Sequence, residues 1–179
     1  MAIVVVALKN NSSFGLEKIA ASIGMPIIIS FGFTSLAGLY LRENGLFYLL
    51  LLLNFSCICD CGAYFTGVFI GKHKLCPNIS PKKTIEGAIG GIVSSIIVSL
   101  VLYLTIMVNG KNLFILLVCT VLFCGIGMCG DLFASVVKRN AGIKDYGTLI
   151  PGHGGILDRF DSILLISPVL LFCVEKGLF

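Results

Sequence analysis

Charge is scarce in this chain: Asp, Glu, Lys and Arg make up 12% of its 179 residues, against roughly 25% in soluble domains. That shortfall excludes an ordinary soluble globular domain. Histidine is scarcer still, with two in the chain, and neither stands beside the cysteine clusters Cys57, Cys59, Cys61 and Cys119, Cys124, Cys129. On a helix neither cysteine spacing gathers thiolates on one face, so a zinc site is set aside. The cysteines read as small hydrophobes in packed helices. No nucleic-acid motif accompanies the basic residues, so nucleic acid is not an expected partner. No internal repeat of the kind that marks many transporters is found either.

What the chain has in quantity is apolar sequence, 57% by residue with a mean hydropathy of +1.03. Several runs reach the length needed to cross a hydrocarbon core of about 30 Å. The predicted fold class is all-α, a polytopic transmembrane helical bundle forming a single integral membrane domain over 1–179. Five spans are expected, at 20–41, 46–70, 87–108, 113–134 and 162–176. Pro26 is tolerated in the first because neighbouring helices satisfy freed backbone groups, and the fifth is the shortest and carries Pro168. Residues 1–8 are apolar but too few to span, and their bases follow rather than precede them, so no signal peptide is expected.

Five spans put the connectors alternately on two sides. One side collects Lys9, Lys18, Lys72, Lys74, Lys82, Lys83, Lys138, Arg139, Lys144 and Arg159, and the other Arg42, Lys111 and Lys176. The bias orients the richer side to the cytoplasm. Two polar connectors, 71–86 and 135–161, therefore share the cytosolic face. Small residues recur where helices would meet: Gly67 with Gly71 and Gly87 with Gly91 have the GxxxG spacing that lets backbones approach closely in lipid. Gly125, Gly127 and Gly130 spell a dinucleotide fingerprint, but they lie late in an apolar helix, so packing is the better reading.

Chemistry is concentrated in GDLFASVVKRNAGIKDYGTLIPGHGGILDRFD, Gly130 to Asp161. Asp158 and Asp161 are three apart and share a helix face, and Asp131 ends the fourth span. A few hard carboxylate oxygens, with room for substrate phosphates, suit Mg²⁺ better than a soft metal. Lys138, Arg139, Lys144 and Arg159 are suited to phosphate oxygens. The glycines at 147, 152, 154 and 155 allow tight turns, and His153 stands between them as a donor. The bland reading, membrane-edge charges pairing with one another, explains any one of these residues better than the whole set. Asp60 lies inside the second run, where an ionised acid costs about 2.5–3.5 kcal/mol, so it should face the bundle interior, a polar cavity or a basic partner. Lys82, Lys83 and Thr84 stand with Glu86 at the mouth of the third span; attraction to anionic headgroups and substrate contact explain the lysines equally well.

The order Ser135, Lys138, Arg139, Lys144, Asp145, Gly147, Pro151, His153, Gly154, Gly155, Asp158, Arg159, Asp161 resembles the signature of the phosphatidate cytidylyltransferases, or CDP-diacylglycerol synthases. The upstream block from Asp60 to Gly87 is similar to the family's second motif, with Ile85 where an aromatic is expected. The chain is short relative to that family, whose members carry further N-terminal membrane helices. The resemblance implies transfer of a cytidylyl group from CTP to phosphatidate, giving CDP-diacylglycerol and pyrophosphate, in a bacterial inner membrane. It implies Mg²⁺, with a second or a monovalent cation left open, and leaves a homodimer open. Carried over, Asp131, Asp158 and Asp161 are the expected metal ligands. Lys138, Arg139, Lys144, Arg159 and His153 are expected in catalysis, and Asp60, Lys82, Lys83, Thr84, Ser135, Gly154 and Gly155 in substrate binding. The alternatives are another CTP-using membrane lipid transferase or kinase, or a cation-coupled transporter running through Asp60 and Asp131.

Overall fold

In lipid an apolar run has no water to satisfy its amides, so it closes its backbone hydrogen bonds internally as a helix. A computed structural model of the chain shows this outcome and describes residues 16–76, 80–106, 112–140, 142–143, 145–147, 155 and 157–178. Helix α1 is Leu16–Tyr40. The second span, Gly45–Phe69, consists of α2 (Gly45–Leu53), one π-helical turn (Asn54–Ile58) and α3 (Cys59–Phe69). Then follow strands β1 (Lys74–Cys76) and β2 (Ser80–Thr84), and helices α4 (Ile85–Ile106), α5 (Leu113–Asn140) and α6 (Leu157–Glu175).

Among the described residues four stretches are long and apolar enough to cross a membrane: Ile23–Tyr40, Gly45–Phe69, Ile85–Ile106 and Leu113–Asn140. The expected fifth, α6, opens with Asp158, Arg159 and Asp161, and its apolar part starts only at Ser162. It packs between α1 and α5. Outward faces carry Phe31, Phe65, Phe69, Ile97, Leu122 and Phe172, all exposed, as a lipid-facing surface requires. The core lies inside, where Phe55 and Phe123 stack at 5.2 Å and Leu39, Leu51, Ile166 and Leu170 are fully buried. The eight cysteines are all unpaired thiols, in agreement with their reading as small hydrophobes.

Three features differ from the expected connectors, each for a local reason. First, α5 does not stop at residue 134 but runs to Asn140, because LFASVVKRN keeps helix-forming residues and puts Lys138 and Arg139 in the last turn, where the helix dipole favours cations. Gly142 ends it at φ +70°. The Ile143 amide donates to the Lys138 carbonyl and the Gly142 amide to that of Arg139, both at 3.0 Å, which satisfies the orphan carbonyls of the helix end. Second, connector 71–86 contains an antiparallel hairpin pairing Lys74 with Thr84 and Cys76 with Ser80, with an irregularity between. Strands this short leave little periodicity to read. Glu86 fastens its base by accepting hydrogen bonds from the amides of Lys72 (3.1 Å) and His73 (3.2 Å) and by pairing with His73 Nδ1 at 2.6 Å. Third, Asn54 in the π-helical turn donates to the Ser95 carbonyl (3.0 Å) and Ser99 Oγ (2.8 Å), and Ser99 Oγ meets Thr120 Oγ1 at 2.9 Å. Such bonds between membrane helices contribute about 0.6–2 kcal/mol each.

Helices α3 and α4 make the most extensive contact in the fold. The small-residue reading holds there: a Cβ on Gly87 would meet the Ala63 carbonyl oxygen at 2.7 Å, and one on Gly91 that of Cys59 at 2.5 Å. Of the late glycines of α5 two serve packing, since Gly127 faces Ile166 and Gly130 faces Ser162 and Leu165 on α6, whereas a Cβ on Gly125 would meet open space. Both close crossings end beside the charged residues.

Candidate active site

Antiparallel packing of α5 on α6 sets the first half of the site. Asp131, Ala134 and Lys138 follow one another along a face of α5, and Asp158 and Asp161 share a face of α6. Lys138 Nζ donates to Asp158 Oδ1 at 2.8 Å. The other oxygen, Oδ2, accepts from the amides of Tyr146 and Gly155, both at 2.9 Å. Burial acts to raise the Asp158 carboxyl, but the Lys138 hydrogen bond and the two amides outweigh it and hold it below the ordinary carboxylate range. Asp161 differs. Its Oδ1 accepts from the Ser162 amide at 2.7 Å, yet burial first and the charge of Asp131 second push its carboxyl up.

The second half comes from the hairpin and the α3–α4 crossing. Asp60, Tyr64, Leu75, Lys82, Lys83, Thr84, Met128 and Asp131 are among the residues lining a cavity of about 270 Å³. Lys83 forms an ion pair with Asp131, but its buried ammonium has no aligned hydrogen bond among the described residues. Its donors are therefore available to an anion. Asp60 lines the same cavity, within electrostatic reach of Asp131, Lys83 and Asp161. Of the settings expected for Asp60 the structure shows a cavity, where Asp60 is exposed and Lys83, paired with Asp131, stands on the same wall.

The structure thus divides the expected ligand set. Asp131 and Asp161 act on one another and on Asp60, while both oxygens of Asp158 are taken by protein donors. Among the described residues no group of three or more His, Cys, Asp or Glu is close enough to hold a metal ion by itself. Three mutually repelling carboxylates, Asp60, Asp131 and Asp161, only partly offset by Lys83 and Lys138, nonetheless fit a hard cation that shares its shell with substrate oxygens, as Mg²⁺ does. Lys138 is buried, with its ammonium on Asp158 and 5.3 Å from the Tyr146 ring centre. Arg139 is exposed, its Nη1 donating to the Ile143 carbonyl at 3.5 Å, and Arg159 is exposed one residue after Asp158. Ser135 is half-buried on α5. Lys82 is exposed at the cavity. Thr84 is buried, its hydroxyl accepting from the Gly87 amide at 3.1 Å as the cap of α4. Gly155 contributes its amide to Asp158. Lys144, His153 and Gly154 lie outside the described residues.

Two attachments escaped the sequence reading: Tyr146 ties its loop to both helices, and the pairing of Glu86 with His73 fastens the hairpin. Tyr146 is the one Phe, Tyr or Trp between Asn140 and Leu157, and that was the available signal for it.

A carboxylate-lined cavity with an unsatisfied lysine, at the polar end of a membrane bundle, is a place where polyanions can be neutralised. The profile of the cytidylyltransferase family matches residues 1–176. The chain belongs to that family. Among relatives, a phosphatidate cytidylyltransferase of Staphylococcus saprophyticus is 43% identical over 146 residues, 80% of this chain and 56% of that protein. Those of Staphylococcus haemolyticus and Staphylococcus aureus are 47% and 48% identical over 129 residues, 72% of this chain and 49% of theirs. The chain spans about half the length of the relatives it matches. The family match over residues 1–176 includes the residues of the site described above, and the resemblance drawn from the two motifs agrees with it.

Proposed function

We propose that this chain carries the catalytic region of a phosphatidate cytidylyltransferase, which joins CTP to phosphatidate and releases pyrophosphate. The observation that supports it most directly is the cavity where Lys83, with unspent donors, meets Asp131 beside Asp60. The lipid phosphate is already an anionic nucleophile, so no strong base is required, and the barrier is repulsion between two polyanions. Lys83 and Lys82 bind phosphate oxygens at the cavity, and Arg139 and Arg159 present forked donors at the same end of the bundle. Asp60, Asp131 and Asp161 would hold Mg²⁺, which when bound screens the phosphates and aligns attack on the α-phosphorus. Asp158 and Lys138 keep the loop in place rather than touching substrate. Apolar walls from Tyr64, Leu75 and Met128 exclude water from part of the cavity. The bacterial relatives support an inner-membrane location, and the excess of bases at this end supports a cytoplasmic site.

The test is an assay of the purified protein in detergent with labelled CTP and phosphatidate, with and without Mg²⁺. Mg²⁺-dependent formation of lipid-linked cytidine is expected. Formation of CDP in its place would point to a kinase, and no product from folded protein would overturn the assignment.

A further inference from the structure

We infer that Tyr146 is a positioning residue, which fixes the axial register of α5 against α6 and so the spacing of the Asp131 and Asp161 carboxylates. The inference rests on the function proposed above for those carboxylates. Tyr146 makes three separate attachments. Its amide donates to Asp158 Oδ2 on α6 at 2.9 Å. Its hydroxyl donates to the Ala134 carbonyl on α5 at 3.3 Å. Its ring lies under the Lys138 ammonium at 5.3 Å, on the same α5 face, while that ammonium is held by Asp158 at 2.8 Å. One side chain and one amide thus close a circuit from loop to α5 to α6 and back.

The position of the circuit gives it leverage. Ala134 and Lys138 are three and seven residues beyond Asp131, one and two turns along α5, and Asp158 is one turn before Asp161 on α6. Tyr146 and Asp161 border the same small apolar recess, with Gly130, Phe133 and Leu157. Gly130, which faces the Asp161 carbonyl and Ser162, lets the helices touch directly at the depth of the carboxylates. The helices are therefore in contact there and tied together just above, so a slide of one along the other must first break the circuit. A flat aromatic ring suits this place because its face attracts the ammonium without adding a charge that would compete with Asp158.

The test uses the full chain in detergent with Tyr146→Phe, Tyr146→Ala and Tyr146→Leu. Hydrogen exchange over 142–147 and the Mg²⁺ concentration giving half of the metal-induced thermal shift are measured with CTP present and phosphatidate omitted, so that substrate oxygens complete the shell without turnover, and CTP turnover is followed separately. Tyr146→Ala should speed exchange in the loop and raise the Mg²⁺ half-saturation about tenfold, the lower end of what loss of an outer-shell partner costs. Tyr146→Phe, which keeps the ring and the amide, should stay within about twofold of the parent on the same scale. Tyr146→Leu fills the space without the ring and should follow alanine, which separates positioning from packing. Unchanged Mg²⁺ half-saturation in both alanine and leucine variants overturns the inference, as does a phenylalanine variant as impaired as alanine. If alanine does not fold, leucine against phenylalanine decides. A parent that shows the Mg²⁺ shift but forms no lipid-linked cytidine counts against the proposed reaction alone, whereas a parent with no shift overturns both.

Discussion

Two lysine–aspartate pairs join α5 to its neighbours, and they are built differently. Lys138 and Asp158 are shut in, their side chains 10% and 8% exposed, and the carboxylate is met on both oxygens. Lys83 and Asp131 are 25% and 26% exposed and border a cavity, and among the described residues the ammonium has no aligned hydrogen bond. The same two residue types thus form a closed strut in one place and an open, reactive contact in the other. Satisfied polar groups specify structure, and unsatisfied ones at a cavity invite a ligand.

The contrast can be broken most forcefully at the closed pair. Lys138→Met strands the Asp158 carboxylate, and breaking such a pair from one side costs about 3–5 kcal/mol. Thermal unfolding in detergent should show this, and adding Asp158→Leu should restore most of the loss. A single variant as stable as the parent would show that the pair contributes nothing to stability. At the open pair the expected damage is to rate instead. Lys83→Met should lower turnover of CTP about 10²–10³-fold, the effect of losing one preorganised donor, with little change in thermal midpoint. A large fall in stability together with intact turnover would exchange the roles assigned to the two pairs.

A smaller effect sharpens the comparison. The Asp158 carboxyl lies below its ordinary range in the folded protein. Its contribution to stability is therefore full above the unfolded carboxylate pKa of about 3.9 and is lost as pH falls through the lower folded value. Thermal midpoints measured on acidification below about pH 4 should fall more steeply for the parent than for Asp158→Asn. Parallel curves would mean that the carboxylate gains nothing from Lys138 and the two amides.

Much of this was legible in the residues. Apolar runs separated by short polar connectors place helices within a few positions, and Gly67 with the GxxxG pair Gly87 and Gly91 marked the tight α3–α4 crossing, while Gly71 lies beyond the end of α3. Asp60 announced itself because an acid inside an apolar run needs a partner. The hairpin was not legible, since strands of three and five residues give too little pattern. The end of α5 was missed because polarity was taken for the end of the helix, whereas Lys138 and Arg139 stabilise a last helical turn.

The sequence by itself determined that this chain enters a membrane as helices and carries most of its acids and bases at one end, because hydrophobic run length and charge placement are local properties. It also supplied the spacing that ties the chain to its family. Only the tertiary structure decided which aspartate meets which lysine. Asp131, Asp158 and Asp161 are chemically alike, and their surroundings come from helices and a hairpin remote in the chain. Burial, two backbone amides and a tyrosine ring make one of them a fixed support, and an open cavity leaves another able to bind.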